Sequence, residues 1–231
     1  MSPISEPVMT TRPSTQETRE RLLAAALEAF GQRDYDAVSI RELATAAGVN
    51  LAAISYHFGG KHGLYLATAR LLGERMRALL HEDLSWVRSA YADASPEECR
   101  RLVGDLIGRL ASRLLGDAFG RHVPGLIIRE QGRPTEAFEI LYETLFGPVH
   151  HVLGELIGRA RGRPADDDEI RVIAHALIGQ AVIFRAGRTA LLRYMDREGF
   201  DEGDLVHIRR VVAALAESAI AGRVEGDEPC L

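Results

Sequence analysis

The 231-residue sequence predicts an all-α protein, with a small N-terminal three-helix unit followed by a larger helical domain. Three observations carry that expectation. Apolar residues recur at i, i+3, i+4 and i+7 in almost every segment between turn signals. Several of these segments open on a capping residue with an acid three positions later. No segment alternates apolar and polar residues in the manner of a half-buried strand.

Composition narrows the class. A chain of this length holds one large or two modest domains, and either buries a real core. Hydrophobic residues make up 46% and charged residues 26%, the balance of a soluble globular protein. The formal net charge of −5 argues against a protein that coats nucleic acid non-specifically, though not against a local basic face. Lys61 is the sole lysine among basic residues that are otherwise Arg. Cys99 and Cys230 fit no metal or redox spacing, and such sparse usage suits a reducing cytoplasm. The N-terminus has no apolar signal region, and no run of ~18 apolar residues lacks a charge. The expectation is a cytoplasmic protein with no membrane span and no cofactor.

Residues 1–14 carry Pro3, Pro7 and Pro13 among Ser and Thr and read as a flexible arm, from which Arg12 reaches outward. The first helix runs from about Thr15 to Arg33, with Leu22, Leu23, Ala26, Leu27 and Phe30 as its apolar stripe. Ser39 then caps a second helix with Glu42 in the reciprocal position of a capping box. Ile40, Leu43, Ala44 and Ala47 form one face, and Gly48 stands where a left-handed C′ residue is needed. Asn50 is a second N-cap, opening a short helix over Leu51–Phe58 that stops at Gly59-Gly60. The first stripe is expected to cover Val38, Ile40, Leu43, Val49 and Ile54. Two capped helices around one glycine are the pattern of a helix-turn-helix, whose second helix enters the DNA major groove. The same spacing also suits an ordinary αα-corner.

From Lys61 a long helix reaches the upper 80s, burying Leu64, Leu66, Leu71, Leu72, Met76, Leu79 and Leu80. Nothing breaks it between the small unit (15–62) and the domain that follows (63–222). Ser95-Pro96-Glu97-Glu98 starts the next helix, which ends near Gly116. A loop or short helix covers Phe119–Gln131. Arg133-Pro134-Thr135 opens a long helix that ends at Gly162–Pro164, with a kink expected at Gly147-Pro148. Asp166–Glu169 places acid on the dipole of another helix, running to Arg185 or Tyr194. A last helix spans about Glu202–Ala221, and 223–231 is a polar tail.

The N-terminal residues resemble the TetR family of transcriptional regulators. The family pattern of an aromatic-Gly helix end, a capped helix with A-x-x-A-G-V, a short helix ending Y-x-H/Y-F, a Lys and an aromatic helix has counterparts here. They are Ala29-Phe30-Gly31, Ser39–Val49, Ser55-Tyr56-His57-Phe58, Lys61 and Leu64-Tyr65. Ser55 departs from the pattern, since many members have Tyr there. Arg129-Glu130-Gln131, Pro134-Thr135, Ala137-Phe138 and Ile140 resemble the C-terminal domain of the CecR (YbiH) type within the family. The resemblance implies a ligand-responsive, sequence-specific DNA-binding regulator, a repressor by family habit. It also implies a homodimer formed through the last two long helices and a small-molecule effector bound inside the protomer.

Candidate residues follow. Asn50, Leu51, Ala52, Ala53 and Ser55 occupy the groove-facing start of the short helix, where Asn pairs with adenine and small apolar side chains meet thymine methyls. Ser39, Arg41, Tyr56, His57 and Lys61 are the phosphate candidates. Ile54 and Phe58 are expected in the core. A helix so poor in charge reads few bases, so specificity calls for two half-sites and a symmetric dimer. The apolar excess near Ile170–Phe184 and Leu205–Leu215 supplies that interface. A ligand cavity is expected between about Ser95 and Arg185, lined by some of Phe119, Arg129, Phe138, Tyr142, His175 and Phe184, with Arg129 or His175 orienting polar groups. His150 and His151 point about 100° apart on a helix and make no metal site, facing solvent in part. The competing class is an all-α enzyme or interaction module. Against an enzyme stands the lack of a nucleophile elbow, phosphate loop, metal-ligand spacing or paired acids.

Overall fold

The computed structural model describes residues 14–91, 93–116 and 123–221. Most of the arm with Arg12, the candidate Phe119 and the tail with Cys230 lie outside the described residues. In order, the helices are α1 (Thr15–Gln32), α2 (Ile40–Ala47), α3 (Ala52–Phe58), α4 (Lys61–Tyr91), α5 (Pro96–Leu115), α6 (Val123–Gly132) and α7 (Glu136–Leu141). A π-helical turn over Tyr142–Phe146 leads into α8 (Gly147–Arg161), then α9 (Asp168–Ala186), α10 (Arg188–Tyr194) and α11 (Glu202–Ala221). No strand occurs among the described residues. Packing divides the chain between Thr68 and Ala69, inside α4 rather than just ahead of residue 63.

In the N-terminal unit, α1 buries Leu22, Leu23, Ala26 and Phe30 against Leu43, Ala44 and Ala47 of α2 and Ile54 of α3. Phe30 meets the start of α4 edge-on, its ring centroid 4.9 Å from that of Tyr65. Three expected core positions differ, and one of them, Val49, is only half-buried. Ile40 is exposed because it opens α2 on the side away from α1, and Phe58 is only half-buried, with the Arg19 guanidinium 5.5 Å above its ring.

The turn between α2 and α3 rests on two devices. Ser39 Oγ accepts the Arg41 N–H at 3.2 Å while Glu42 accepts the Ser39 N–H at 2.9 Å. Gly48 then adopts φ 62°, ψ 41°, and the Val49 N–H reaches back to Ala44 O at 3.0 Å. A side chain in that conformation costs roughly 1–2 kcal/mol, and a Cβ at Gly48 would also collide with the Arg21 guanidinium. Gly48→Ala is therefore expected to lower unfolding free energy by about that amount in urea melts; an unchanged midpoint would contradict the strained-turn account.

The Glu42 carboxyl sits below its ordinary value, held down first by the Ser39 N–H bond and then by Arg33 at 3.3 Å. Since the folded value is the depressed one, the stability involved is present above the unfolded carboxylate value and is lost as pH falls through the folded value. An NMR titration of the Glu42 side chain is expected to show a midpoint below that of Glu in an unstructured peptide. An ordinary midpoint would mean that the cap is not formed in solution.

The C-terminal unit is built on α5, which packs on α8, α9 and most extensively on α11. Gly104 and Gly108 permit that last contact, since a Cβ at either would strike the α11 backbone, at Ala213 O or Arg209 O. The second half of α4 is fastened here as well. Asp83, only 2% exposed, lies 3.3 Å from Arg109 Nη1 and 2.6 Å from Arg113 Nε, and Arg109 stacks over Trp86. Tyr91 Oη donates to Glu155 of α8 at 2.8 Å, and Arg159 donates to Tyr91 O at 2.6 Å. Cys99 is buried, and that burial pushes its thiol pKa up, so it packs as a small apolar residue.

One expected helix is divided, and another stops at Ala186, beside the nearer of its two expected ends, Arg185. The segment opened by Thr135 does not merely kink at Pro148; it widens into the π-helical turn just before it, with the Gly147 N–H bonded to Tyr142 O. A Pro ring crowds the carbonyl four residues earlier in a straight helix, and a wider turn relieves that clash. The helix after Asp167 breaks at Gly187, where α9 and α10 meet at 71°. No single described helix is long and apolar enough to cross a membrane.

Candidate nucleic-acid interface and apolar cavity

Helix α3 shows one packed side and one open side. Ile54 is its buried residue, while Leu51, Ala52, Ser55 and Tyr56 are exposed and Ala53 and His57 half-buried. Tyr56 is 80% exposed, an aromatic side chain with no share in the core, and its ring meets His57 edge-on at 5.0 Å. Ser39 and Arg41 are exposed at the start of α2. Lys61, at the start of α4, holds its Nζ 4.2 Å above the Tyr35 ring, which fixes the ammonium without neutralising it.

Asn50 caps the short helix, as expected. Its Oδ1 accepts the Ala52 N–H at 3.0 Å, and Ala53 N–H bonds Asn50 O at 2.9 Å, so the helix begins with a tight turn. The amide oxygen that a bidentate adenine contact needs is thus engaged in capping. The oxygen's second lone pair and the Nδ2 hydrogens are left for a base.

The second feature is an apolar cavity of about 360 Å³ in the C-terminal unit. Its α9 wall runs through His175, Ile178, Val182 and Ala186, one helix face about 16 Å long at 1.5 Å per residue. Met76 and Leu80 of α4, Leu110 of α5 and Phe146 of the π-helical turn contribute others. Of the candidate ligand residues, Phe138, Tyr142 and His175 line it, but Arg129 and Phe184 do not. Both are half-buried outside the lining, because α6 and α9 turn neighbouring positions, Ile128 and Val182, towards it.

His150 also lines the cavity, which helical spacing alone leaves undecided. Its Nδ1 lies 2.8 Å from Phe146 O and its Nε2 lies 3.2 Å from His175 Nδ1, with the two rings stacked at 5.5 Å. His151 faces the other way and pairs with Glu155, four residues on, at 3.3 Å. Among the described residues no group of three or more His, Cys, Asp or Glu could hold a metal.

Two family models match the chain. Residues 22–68 match the TetR family of bacterial regulatory proteins, and residues 99–223 match the C-terminal domain of the dual regulator CecR. Over 226 residues the chain is 32% identical to the HTH-type transcriptional dual regulator CecR of Shigella flexneri, covering 95% of this chain and 97% of that protein. The chain belongs to the TetR family.

The transcriptional repressor Rv3405c of Mycobacterium tuberculosis is 31% identical over 120 residues, 48% of this chain and 58% of that one. A TetR-like transcriptional regulator from Rhodococcus sp. shares the fold, with a TM-score of 0.58, 17% identity and coverage of 92% and 100%. This TetR-family protein is accordingly a DNA-binding transcriptional regulator rather than an enzyme. Its α2–α3 surface lies within the stretch matched by the TetR family model. Apart from Met76 and Leu80, its cavity lies within the stretch matched by the CecR model.

Proposed function

We propose that this regulator is a homodimeric repressor that reads a palindromic operator through α3 and is released by a small molecule seated in the cavity. The observation that carries the reading is the path of α4. The helix begins at Lys61 beside α3, lines the cavity with Met76 and Leu80, and is fastened beyond it at Asp83 and Tyr91. It also touches the cavity wall at Gly73, where a Cβ would collide with Thr144 Oγ1 of the π-helical turn. A ligand that reshapes the wall therefore acts on a helix reaching the DNA-reading unit.

On the DNA, Leu51, Ala52, Ala53 and Ser55 meet base edges, and Asn50 offers the Nδ2 hydrogens of its amide. Ser39, Arg41, Tyr56, His57 and Lys61 hold phosphates, aided by the N-terminal dipole of α4. The dimer forms through apolar residues that α9 and α11 leave in solvent. Val172 is 67% and Ile183 59% exposed on α9, and Val206 is 63% exposed on α11 next to Val211 and Leu215. An isologous pairing of these faces sets the distance between the two α3 helices. Release is a population shift, and it requires that the ligand bind one spacing better than the other. Acting on an operator, the protein works in the cytoplasm.

The test has two arms. Compounds that raise the melting temperature of the purified protein are collected, since a ligand of the native state stabilises it by mass action. Each is then titrated into the operator complex in a mobility-shift assay, where saturation is expected to free the DNA. Saturating ligand that leaves the complex intact contradicts release. Deleting the gene is expected to raise transcription from the bound promoter, and a fall contradicts repression.

A further inference from the structure

The cavity's polar groups are few, and the one fixed charge among them is positive. Gln131, Tyr142, His150, His175 and Arg185 are the lining residues with polar side-chain groups, and no Asp or Glu appears among the described residues that line it. A ligand ammonium would meet no counter-charge there, whereas an anion meets one guanidinium and two imidazoles.

The hydrogen bonds add a direction. A backbone carbonyl only accepts, so the bond from His150 Nδ1 to Phe146 O places a proton on that nitrogen. His150 Nε2, 3.2 Å from His175 Nδ1, is then the acceptor and His175 the donor. His175 thus donates to His150, His150 donates to Phe146 O, and His175 Nε2 is the end of the chain. The other described residues make no hydrogen bond to it. The wall at this point is the π-helical turn, a local distortion often found at functional sites.

We propose that the cavity takes an elongated apolar molecule bearing one carboxylic acid group, with the acid bound at His175 Nε2 and supported by His150. This rests on the reading of the cavity as an effector site. Either the acid donates to the neutral ring or the carboxylate accepts from the protonated one, and the two descriptions differ only in where one shared proton sits. The chain of the molecule lies along Ile178 and Val182 towards Ala186, burying its apolar surface in the roughly 16 Å face of α9.

The test is calorimetric titration of the full-length protein at neutral pH with decanoate, decan-1-ol and decylamine. Decanoate is expected to bind about ten- to a hundredfold more tightly than either analogue, the value of one charge-assisted hydrogen bond. His175→Phe keeps an aromatic ring but removes both nitrogens, and is expected to bring decanoate affinity down to that of decanol measured on the same variant. The wild-type ligand series judges the proposal even where a variant misfolds. Equal affinity for acid and alcohol, tighter binding of the amine, no binding of the three, or a preference retained in His175→Phe would each overturn it. Operator release is read separately in the mobility-shift assay. Decanoate that binds through His175 yet leaves the DNA bound contradicts release and leaves the acid site standing; decanol that matches decanoate and frees the DNA does the reverse.

Discussion

The double variant Val211→Arg, Leu215→Arg is expected to be a folded monomer that binds the operator about 10²–10⁴-fold more weakly than the parent. Both side chains stand on the solvent side of α11, 41% and 52% exposed, while Ile208, Val212, Ala216 and Ile220 hold the helix to its own protomer. Arginine at the two exposed positions leaves that inner face intact but puts unpaired charge into any apolar pairing of two α11 helices, which is costly. Loss of affinity follows from loss of linkage, because two joined reading heads bind the second half-site at an effective concentration near millimolar for a well-matched span. Analytical ultracentrifugation gives the mass and a mobility shift gives the affinity. A variant that stays dimeric, or a monomer as tight on the palindrome as the parent, contradicts the proposed interface.

Replacing Lys61 and Tyr56 with Ala is expected to weaken binding to every DNA sequence alike. Lys61 carries a full charge at the start of α4, held above Tyr35, and a dimer presents two of them. Each ammonium on a phosphate releases about 0.9 counterion, so the slope of log affinity against log salt should fall by about 2. Tyr56, 80% exposed, adds a neutral hydroxyl contact that lowers affinity without changing that slope. Asn50 needs a different probe, because Asn50→Ala removes the cap on Ala52 N–H as well as the base donor. Asn50→Ser keeps a neutral capping oxygen and removes the amide, so a change in sequence preference with an unchanged melting temperature isolates the base contact. Sequence-specific loss from the Lys61 and Tyr56 variant, or an unaltered salt slope, contradicts their assignment to phosphates.

The α2–α3 turn is legible in the sequence because its determinants are local. Ser39, Glu42 and Gly48 each act first through backbone groups two to five residues away, and Arg33 and Arg21 only add to what those local bonds set. The cavity is not local. His150 lines it only because α9 brings His175 alongside, 25 positions later, and helical spacing cannot say which of two adjacent histidines will face that neighbour. Arg129 and Phe184 are chemically plausible lining residues that lose their places to Ile128 and Val182, one and two positions away on their helices. The π-helical turn left only Pro148 as a trace, and a proline near a helix start ordinarily signals nothing wider than a kink. Asn50 illustrates the opposite difficulty, since its capping role is visible in the sequence but the cost of that role to base reading appears only with the hydrogen bond in place.

Footprinting of the DNA flanking the protein's own gene, in low salt, tests the central claim most directly. The account predicts two protected half-sites of inverted sequence, centred one helical turn (about 34–36 Å) or a whole multiple apart, as a symmetric pair of α3 helices requires. Protection of a single half-site, or protein bound at saturation with no protected palindrome, would contradict it.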